Sequence, residues 1–163
     1  VQRLMQLARP GPDRVAPIDL NEVVRDVGGM LRMAGKLRRV ELALVLGDQP
    51  LMVTVNRTRI EQILVNLVTN AVDAIGADGT VTVEVRASDD DKRAIVEVRD
   101  TGSGIPQAQL EKIFEPFFTT KDAEKGTGLG LPVVREIVTS YGGTVAVESE
   151  VGKGTTFRFD LPR

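Results

Sequence analysis

A chain of 163 residues is long enough for one compact domain and too short for two of ordinary size. Its 21 basic and 23 acidic residues nearly cancel and lie scattered, which argues against a nucleic-acid-binding surface of clustered positive charge. The absence of cysteine and histidine excludes disulfides, thiolate chemistry, histidine triads and a histidine phosphoacceptor within these residues. No apolar run approaches the ~20 residues of a membrane-spanning helix, and no signal-peptide pattern opens the chain.

Hydrophobic periodicity and turn residues predict the elements in chain order. Residues 1–9 carry a helical apolar stripe and residues 10–17 are rich in proline, which indicates the tail of a helix and then a linker. Asp19 is a candidate N-cap for the next helix. The further predictions are helices over about 20–36, 57–75, 107–113 and 129–141, and strands over 40–46, 51–55, 80–87, 93–99, 144–148 and 155–161.

The predicted strands come in adjacent pairs that are separated by single helices. This order indicates one mixed, mostly antiparallel sheet that is covered on one face by about three helices. We therefore predict a two-layer α/β (α+β) sandwich.

The helix predicted over 57–75 carries polar side chains, mostly amides, on the face opposite its apolar stripe. Side-chain amide oxygens suit Mg²⁺, which usually takes its other ligands from phosphates and water. A solvated polar face is the alternative, and the helix alone favours that interpretation. The residues on this face are Gln62, Asn66, Asn70 and Asp73.

A glycine-rich turn with the pattern Asp100-x-Gly102-x-Gly104 directly follows a predicted strand. A carboxylate at a strand end can accept a hydrogen bond from an uncharged exocyclic amine such as the adenine N6 group. Glycine lets the backbone approach a flat ring closely. Taken alone, the same residues also fit an ordinary turn.

A second glycine-rich segment, residues 126–131, leads into the last predicted helix. Backbone N–H groups of glycines at a helix N-terminus bind phosphate oxygens, helped by the helix dipole. A flexible hinge is an equally good interpretation of the glycines alone. The segment is not a Walker A loop, because no Gly-Lys-Ser/Thr sequence closes it.

Three of the five phenylalanines, Phe114, Phe117 and Phe118, lie within one predicted loop. Such clusters pack against something, so a lid that docks on the domain or on a ligand is one interpretation. Lys121 follows them and could reach a phosphate. The alternative is a small satellite core beside a surface lysine.

In their order and spacing, the motifs together resemble the histidine-kinase branch of the superfamily that contains gyrase, Hsp90 and MutL. The resemblance covers about residues 18–163 and implies a catalytic domain with the Bergerat ATP-binding fold, with ATP and Mg²⁺ as ligands. Residues 1–17 resemble the tail of the dimerisation helix and the linker of such kinases. The matching segments are the asparagine box at 66–74, the glycine boxes at 100–105 and 126–131, the phenylalanine box at 114–118 and the terminal glycine box at 152–157.

The resemblance implies roles for the matching residues. Asn70 would be the main magnesium ligand, with Asn66 assisting at the metal or at the phosphates. Asp100 would bind the adenine amino group, and Thr155 would support that contact through its hydroxyl or a water. Lys121 would reach the phosphates from the lid and would complete the catalytic set with Asn66 and Asn70. The other implied nucleotide-binding residues are Asp73, Gly102, Gly104, Ile105, Phe117, Gly126, Thr127, Gly128, Leu129, Gly130 and Leu131.

The implied activity is transfer of the γ-phosphoryl group of ATP to a histidine on an upstream dimerisation domain, with a response regulator receiver domain as the onward partner. The nucleophile would belong to that other domain, in agreement with the absence of histidine here. We expect a cytoplasmic domain that is monomeric by itself. Whether the parent kinase is anchored in a membrane is left open by the sequence.

Two positions depart from the pattern of many relatives. Asp73 stands where they carry lysine or arginine, so one positive phosphate contact is expected to be absent. This substitution and the short lid resemble kinases of the nitrogen-regulation type. Tyr141 stands where many relatives have histidine, and we expect little consequence from that change.

Two other functions are compatible with the same fold. Hydrolytic relatives of the gyrase and MutL kind carry a glutamate four residues before the magnesium asparagine, where Asn66 stands and cannot accept a proton. Hydrolysis is therefore disfavoured. A module that binds nucleotide without catalysis is disfavoured by the intact motifs.

Overall fold

The fold is described by a computed structural model for residues 14–116, 118 and 130–163. The predicted helix tail at 1–9 lies outside these residues. The end of the predicted linker does not: Ala16–Asp19 form a strand, β1, that the sequence did not indicate. Strand β1 pairs antiparallel with β3 (Met52–Val55), so this stretch is part of the folded domain.

The helices lie close to their predicted positions. Helix α1 spans Leu20–Met33 and α2 spans Arg57–Ile75. The short α3 covers Gln107–Leu110, and α4 covers Gly130–Ser140. The predicted α/β sandwich is confirmed, because α1, α2 and α4 pack on one face of the larger sheet.

Within the described residues, the larger sheet has five strands, which are β2 (Val40–Val45), β4 (Gly79–Ala87), β5 (Arg93–Asp100), β6 (Val145–Glu150) and β7 (Gly154–Pro162). Their order across the sheet is β2-β4-β5-β7-β6. Only β2 and β4 run parallel, while the other three neighbouring pairs are antiparallel, as a mixed and mostly antiparallel sheet requires.

Local signals fix where the two long helices begin and end. The Asp19 carboxylate accepts from the backbone N–H of Asn21 and of Leu51, both at 3.0 Å, and so caps α1 while fixing the approach to β3. Asn56 caps α2 by accepting from the backbone N–H of Thr58 at 2.9 Å. Gly76, with φ of 76°, ends α2 in the left-handed conformation that favours glycine.

The core lies between the sheet and the helices. The apolar stripe of α2 is buried there together with the inward-facing residues of the central strands, which alternate with polar residues as a half-covered sheet demands. Fully buried members include Ile60, Ile63, Leu64 and Leu67 of α2 and Val81, Val98 and Phe159 of the sheet. In the described part of the chain, no helix combines the length and the apolar character that crossing a bilayer requires.

Tyr141 joins the end of α4 to the beginning of α2. Its hydroxyl oxygen accepts a hydrogen bond of 3.0 Å from the backbone N–H of Asn56, which is 4% exposed. Nothing in the sequence indicated this bond. It satisfies a buried donor at a helix start, where such donors lack partners within the helix.

Glu97 lies on the open face of the sheet among three arginines. Its side chain is only 10% exposed and accepts from Arg158 at 2.8 Å, from Arg86 at 3.0 Å and from Arg99 at 2.7 Å. Burial alone would raise the pKa of Glu97, but the bonds from Arg158, Arg86 and Arg99 outweigh it and hold the pKa at about 2.

Replacing Glu97 by glutamine is expected to destabilise the fold in a pH-dependent way. A carboxylate with a lowered pKa stabilises the fold above its unfolded-state pKa, near 4.5, and that contribution disappears as the pH falls through about 2. Urea unfolding of the wild type and Glu97→Gln should therefore differ most at neutral pH and converge towards pH 2. The exposed Glu41→Gln serves as the control. A difference that does not vary with pH would contradict the assignment.

Candidate functional site

The polar face of α2 meets the beginning of α4. A Cβ atom placed on Gly130, the first residue of α4, would lie 3.7 Å from the Cγ atom of Asn66 and 3.8 Å from its Oδ1 atom. The first turn of a helix exposes backbone N–H groups that have no partner within the helix. The Asn66 amide and these N–H groups therefore lie on one side of the molecule, where an anion can contact both.

Asn70 and Asp73 continue the same face of α2. Asn70 lies one helical turn beyond Asn66, so the two amides are neighbours on the helix surface. Asp73 forms a 3.0 Å ion pair with Arg38, which belongs to the connection between α1 and β2 and has a φ of 55°. Sequence reasoning missed Arg38. Its guanidinium binds Asp73, the residue that stands where many relatives carry lysine or arginine.

Asp100 ends β5 and is nearly buried, with 9% of its surface exposed. Its Oδ1 atom accepts a 2.8 Å hydrogen bond from the backbone N–H of Gly102. Burial raises the pKa of the Asp100 carboxyl, while the backbone N–H groups of Gly102 and Thr155 act in the opposite direction. The carboxylate is therefore a desolvated acceptor at the end of a strand.

The loop after Asp100 is fixed on two sides. On one side, the backbone N–H of Ser103 donates to the carbonyl oxygen of Ala74 at 3.2 Å, near the C-terminal end of α2. On the other, the carbonyl oxygen of Ser103 accepts from Gly152 at 2.8 Å, in the turn between β6 and β7. Gly104, with φ of 80°, lies so close to the Glu150 carbonyl that a side chain would collide with it. The glycines predicted to shape the pocket are thus required by backbone packing.

Three polar residues form a row across β5, β7 and β6. Asp100 is paired with Thr155, and Thr155 is paired with Ser149, so the three side chains project from the same, helix-covered face of the sheet. The Ser149 Oγ atom lies 2.7 Å from the Thr155 Oγ1 atom and accepts from the backbone N–H of Ile105 at 2.7 Å. Ser149 was missed from the sequence, because its place in an alternating strand does not show which side chain lies opposite it.

Part of the phenylalanine cluster packs on the domain. The Phe114 ring meets Phe157 edge to face, with centroids 6.4 Å apart, and the Arg135 guanidinium lies 5.6 Å from the Phe114 centroid. Phe118 is partly buried against the core. The predicted site residues Phe117, Lys121, Gly126, Thr127, Gly128 and Leu129 lie outside the described residues.

The structure therefore joins the predicted site residues through α2. Asn66 lies beside the beginning of α4, while the Ala74 carbonyl oxygen accepts a hydrogen bond from the loop that follows Asp100. At a rise of ~1.5 Å per residue, Asn66 and Ala74 are about 12 Å apart along the helix axis. In the described ranges, no cluster of three or more acidic residues could hold a metal ion by itself. A metal here would need amides and ligand oxygens.

Comparison with known proteins identifies the family. The model of the histidine kinase-, DNA gyrase B- and HSP90-like ATPases matches residues 55–163. The sensor kinase CckA of Brucella abortus is 42% identical over 177 residues, which cover 100% of this chain and 18% of CckA. The sensor histidine kinase ZraS of Salmonella typhi is 38% identical over 162 residues, which cover 99% of this chain and 34% of ZraS.

Solved structures give the same result. The catalytic domain of the histidine kinase ThkA superposes with a TM-score of 0.79 and 34% identity, covering 91% of this chain and 97% of that domain. In a complex of ThkA with the response regulator protein TrrA, the kinase matches with a TM-score of 0.77 and 29% identity, covering 99% of this chain and 45% of that one.

The chain spans about a third of ZraS and less than a fifth of CckA. Its match to the ThkA catalytic domain extends over nearly all of that domain. The chain belongs to the histidine kinase-, DNA gyrase B- and HSP90-like ATPase family, as a catalytic domain of the sensor histidine kinase type.

Proposed function

We propose that this domain binds ATP with Mg²⁺ and transfers the γ-phosphoryl group to a histidine on the dimerisation domain of its parent kinase. The observation that carries the proposal is the arrangement along α2. One helix passes beside the beginning of α4 at Asn66 and is hydrogen-bonded to the Asp100 loop at Ala74, about 12 Å further along its axis. A purine triphosphate can extend between the two ends.

Asp100 and the loop after it would form the adenine end. The desolvated carboxylate accepts a hydrogen bond from the exocyclic amine, and its Oδ1 atom is held in place by the Gly102 N–H. Gly104 and Ile105 keep the backbone of this loop close to the end of β6, where the flat ring would lie against it. Thr155 stands beside Asp100 in the sheet register and supports the same contact.

Asn66, Asn70 and the beginning of α4 would form the phosphate end. The two amides fit Mg²⁺, because that ion takes few protein ligands and completes its shell with phosphate oxygens and water. Asn70 would be its main protein ligand, with Asn66 assisting. When bound, magnesium neutralises charge on the phosphates. Gly130, Leu131 and the preceding residues 126–129 would bind phosphate oxygens through backbone N–H groups, and Lys121 would reach the same oxygens.

Asp73 contributes at the same face in another way. Its carboxylate is held by Arg38 at 3.0 Å, so the pair presents no net negative charge to the phosphates. This supports the inclusion of Asp73 in the site despite its sign. The assignment of the chain to kinases of the nitrogen-regulation type remains a proposal.

In the proposed reaction, a ring nitrogen of the acceptor histidine attacks the γ-phosphorus atom. The bond from that phosphorus to the bridging oxygen breaks, and ADP leaves with the bonding electrons. A neutral imidazole nitrogen needs no proton abstraction by this domain, which agrees with an asparagine at position 66. The domain supplies alignment and charge neutralisation, the main requirements of phosphoryl transfer.

The partners follow from this reaction. The histidine-bearing dimerisation domain would dock on the catalytic domain. We extend that domain from the expected 18–163 to include Ala16, where β1 begins, and place the junction in the residues before it. A response regulator receiver domain would then take the phosphoryl group from the histidine, and the known complex of ThkA with TrrA supports such a partner. The isolated domain would be a cytoplasmic monomer.

Binding and transfer can be measured separately. Isothermal titration calorimetry of the chain with ATP should show micromolar to millimolar affinity in Mg²⁺ and weaker affinity in excess EDTA. Radiolabelled ATP should leave the chain unlabelled, because it has no histidine, and should label an added histidine-bearing hairpin from the parent kinase.

The same assays distinguish the other functions. Steady release of phosphate by the chain alone would favour a hydrolase, and binding without labelling of the parent hairpin would favour a non-catalytic module. No saturable ATP binding under any of these conditions would refute the proposed site.

A further inference from the structure

We infer that Ser149 is a positioning residue that points the hydroxyl hydrogen of Thr155 away from the nucleotide, so that the cleft offers only acceptors beside Asp100. The inference rests on the proposed function, because it concerns how that cleft selects its base. It assigns a role to a residue that lies outside every motif of the sequence.

Ser149 makes three polar contacts at its single oxygen atom. It accepts from the backbone N–H of Ile105 at 2.7 Å and donates to the carbonyl oxygen of Gly154 at 3.0 Å. Its third partner is the Thr155 Oγ1 atom at 2.7 Å. Ser149 thereby ties the loop after Asp100 to the beginning of β7.

By distance alone either hydroxyl could be the donor in the third contact, so we assign its direction by counting hydrogens. A carbonyl oxygen can only accept, so the one hydrogen of Ser149 is used by Gly154. The short contact between the two hydroxyls then requires Thr155 to be the donor. Ser149 is left with two accepted bonds and one donated bond, which saturates its hydroxyl. Thr155 is left with lone pairs only.

This arrangement has a consequence for base recognition. Thr155 is directly opposite Asp100 in the sheet, so an acceptor-only hydroxyl lies beside an acceptor-only carboxylate. A purine with an amino group at its six position can donate to both acceptors from that group. A purine with a carbonyl oxygen there offers them no hydrogen at that position and can donate only from its ring nitrogen N1. Ser149 therefore strengthens discrimination in favour of adenine without contacting the base.

The test compares ATP with inosine triphosphate, in which a carbonyl replaces the six-amino group and N1 carries a hydrogen. In Ser149→Ala the Thr155 hydroxyl loses its acceptor and is free to turn its hydrogen towards the ligand. The ratio of ATP affinity to inosine triphosphate affinity, measured by calorimetry, should fall about tenfold. Ser149→Thr keeps a hydroxyl at this position and should keep the wild-type ratio.

A second comparison separates orientation from general loosening. In a chain that already carries Thr155→Val, Ser149→Ala should leave the ratio unchanged, because no hydroxyl remains to be turned. Equal weakening of both nucleotides in Ser149→Ala, or an equal fall of the ratio in Ser149→Thr, would overturn the role of Ser149. Failure of the wild type to bind ATP would instead refute the proposed function itself.

Discussion

Replacing Gly154 by alanine is expected to destabilise the domain by about 3–5 kcal/mol. Gly154 begins β7 with a φ of 136°, a conformation that side chains rarely adopt. A Cβ atom there would also collide with the backbone carbonyl of Asp100, a contact that a rotamer change cannot relieve. Both costs fall on the pairing of β5 with β7, where the proposed adenine end is built.

Gly152 provides a matched control within the same turn. Its φ of 85° is also positive, but no atom lies within 4 Å of a Cβ placed there. Gly152→Ala should therefore cost only the backbone term, about 1–2 kcal/mol. The measurement is the free energy of unfolding in urea for the two variants and the wild type. Equal losses in both variants would show that the close approach to Asp100 does not limit the fold.

Replacing Asp100 by asparagine is expected to weaken ATP binding about 10- to 100-fold, or roughly 1–3 kcal/mol. The asparagine keeps an oxygen atom that can accept from the Gly102 N–H. Its amide NH₂ group, however, is a donor and would lie opposite the amino group of adenine, which is also a donor. Burial raises the pKa of Asp100 above its value in the unfolded chain. The ionised carboxylate therefore destabilises the fold, and this loss of stability develops as the pH rises from the unfolded-state pKa through the raised one. At neutral pH, Asp100→Asn should therefore be as stable as the wild type or more so.

Asp160→Asn is the control with the opposite pattern. Asp160 lies on β7, where it accepts from Arg93 at 2.7 Å and from the Thr144 hydroxyl at 2.6 Å. Burial alone would raise the pKa of Asp160, but the hydrogen bonds from Thr144 and Arg93 outweigh it and lower that pKa. Removing the charge of Asp160 should therefore destabilise the fold at neutral pH. It should leave the affinity for ATP unchanged. Calorimetry and urea unfolding of both variants give the comparison. Unchanged ATP affinity in Asp100→Asn would show that the adenine assignment is wrong.

Helices were predictable wherever local chemistry marks their ends. The bounds of α2 follow from the Asn56 cap, the left-handed Gly76 and an apolar stripe that continues between them. Strand β1 was not predictable, because four residues that include a proline have no strand signal of their own. They become a strand only through pairing with β3, as in the match of Ile18 with Val53. The order of the five strands likewise depends on contacts between distant segments.

The candidate site divides in the same way. Residues that belong to ordered motifs, such as Asn66 and Asp100, could be found because their neighbours in sequence carry the pattern. Ser149 and Arg38 could not, since each acts through a partner that the fold places beside it: Thr155 on the neighbouring strand, and Asp73 on a helix. A single serine or arginine has no meaning in a sequence until its neighbour in space is known.

The bond between Tyr141 and Asn56 has a mechanical consequence. Helix α4 packs on α2, and the bond from the Asn56 backbone N–H to Tyr141 fixes its C-terminal end, while its N-terminal end at Gly130 lies beside Asn66. A force applied at the N-terminal end of α4 should therefore rotate the helix about Tyr141 rather than slide it along α2. The N-terminal end of α4, which would hold phosphate oxygens, is then the part of the helix that is displaced furthest.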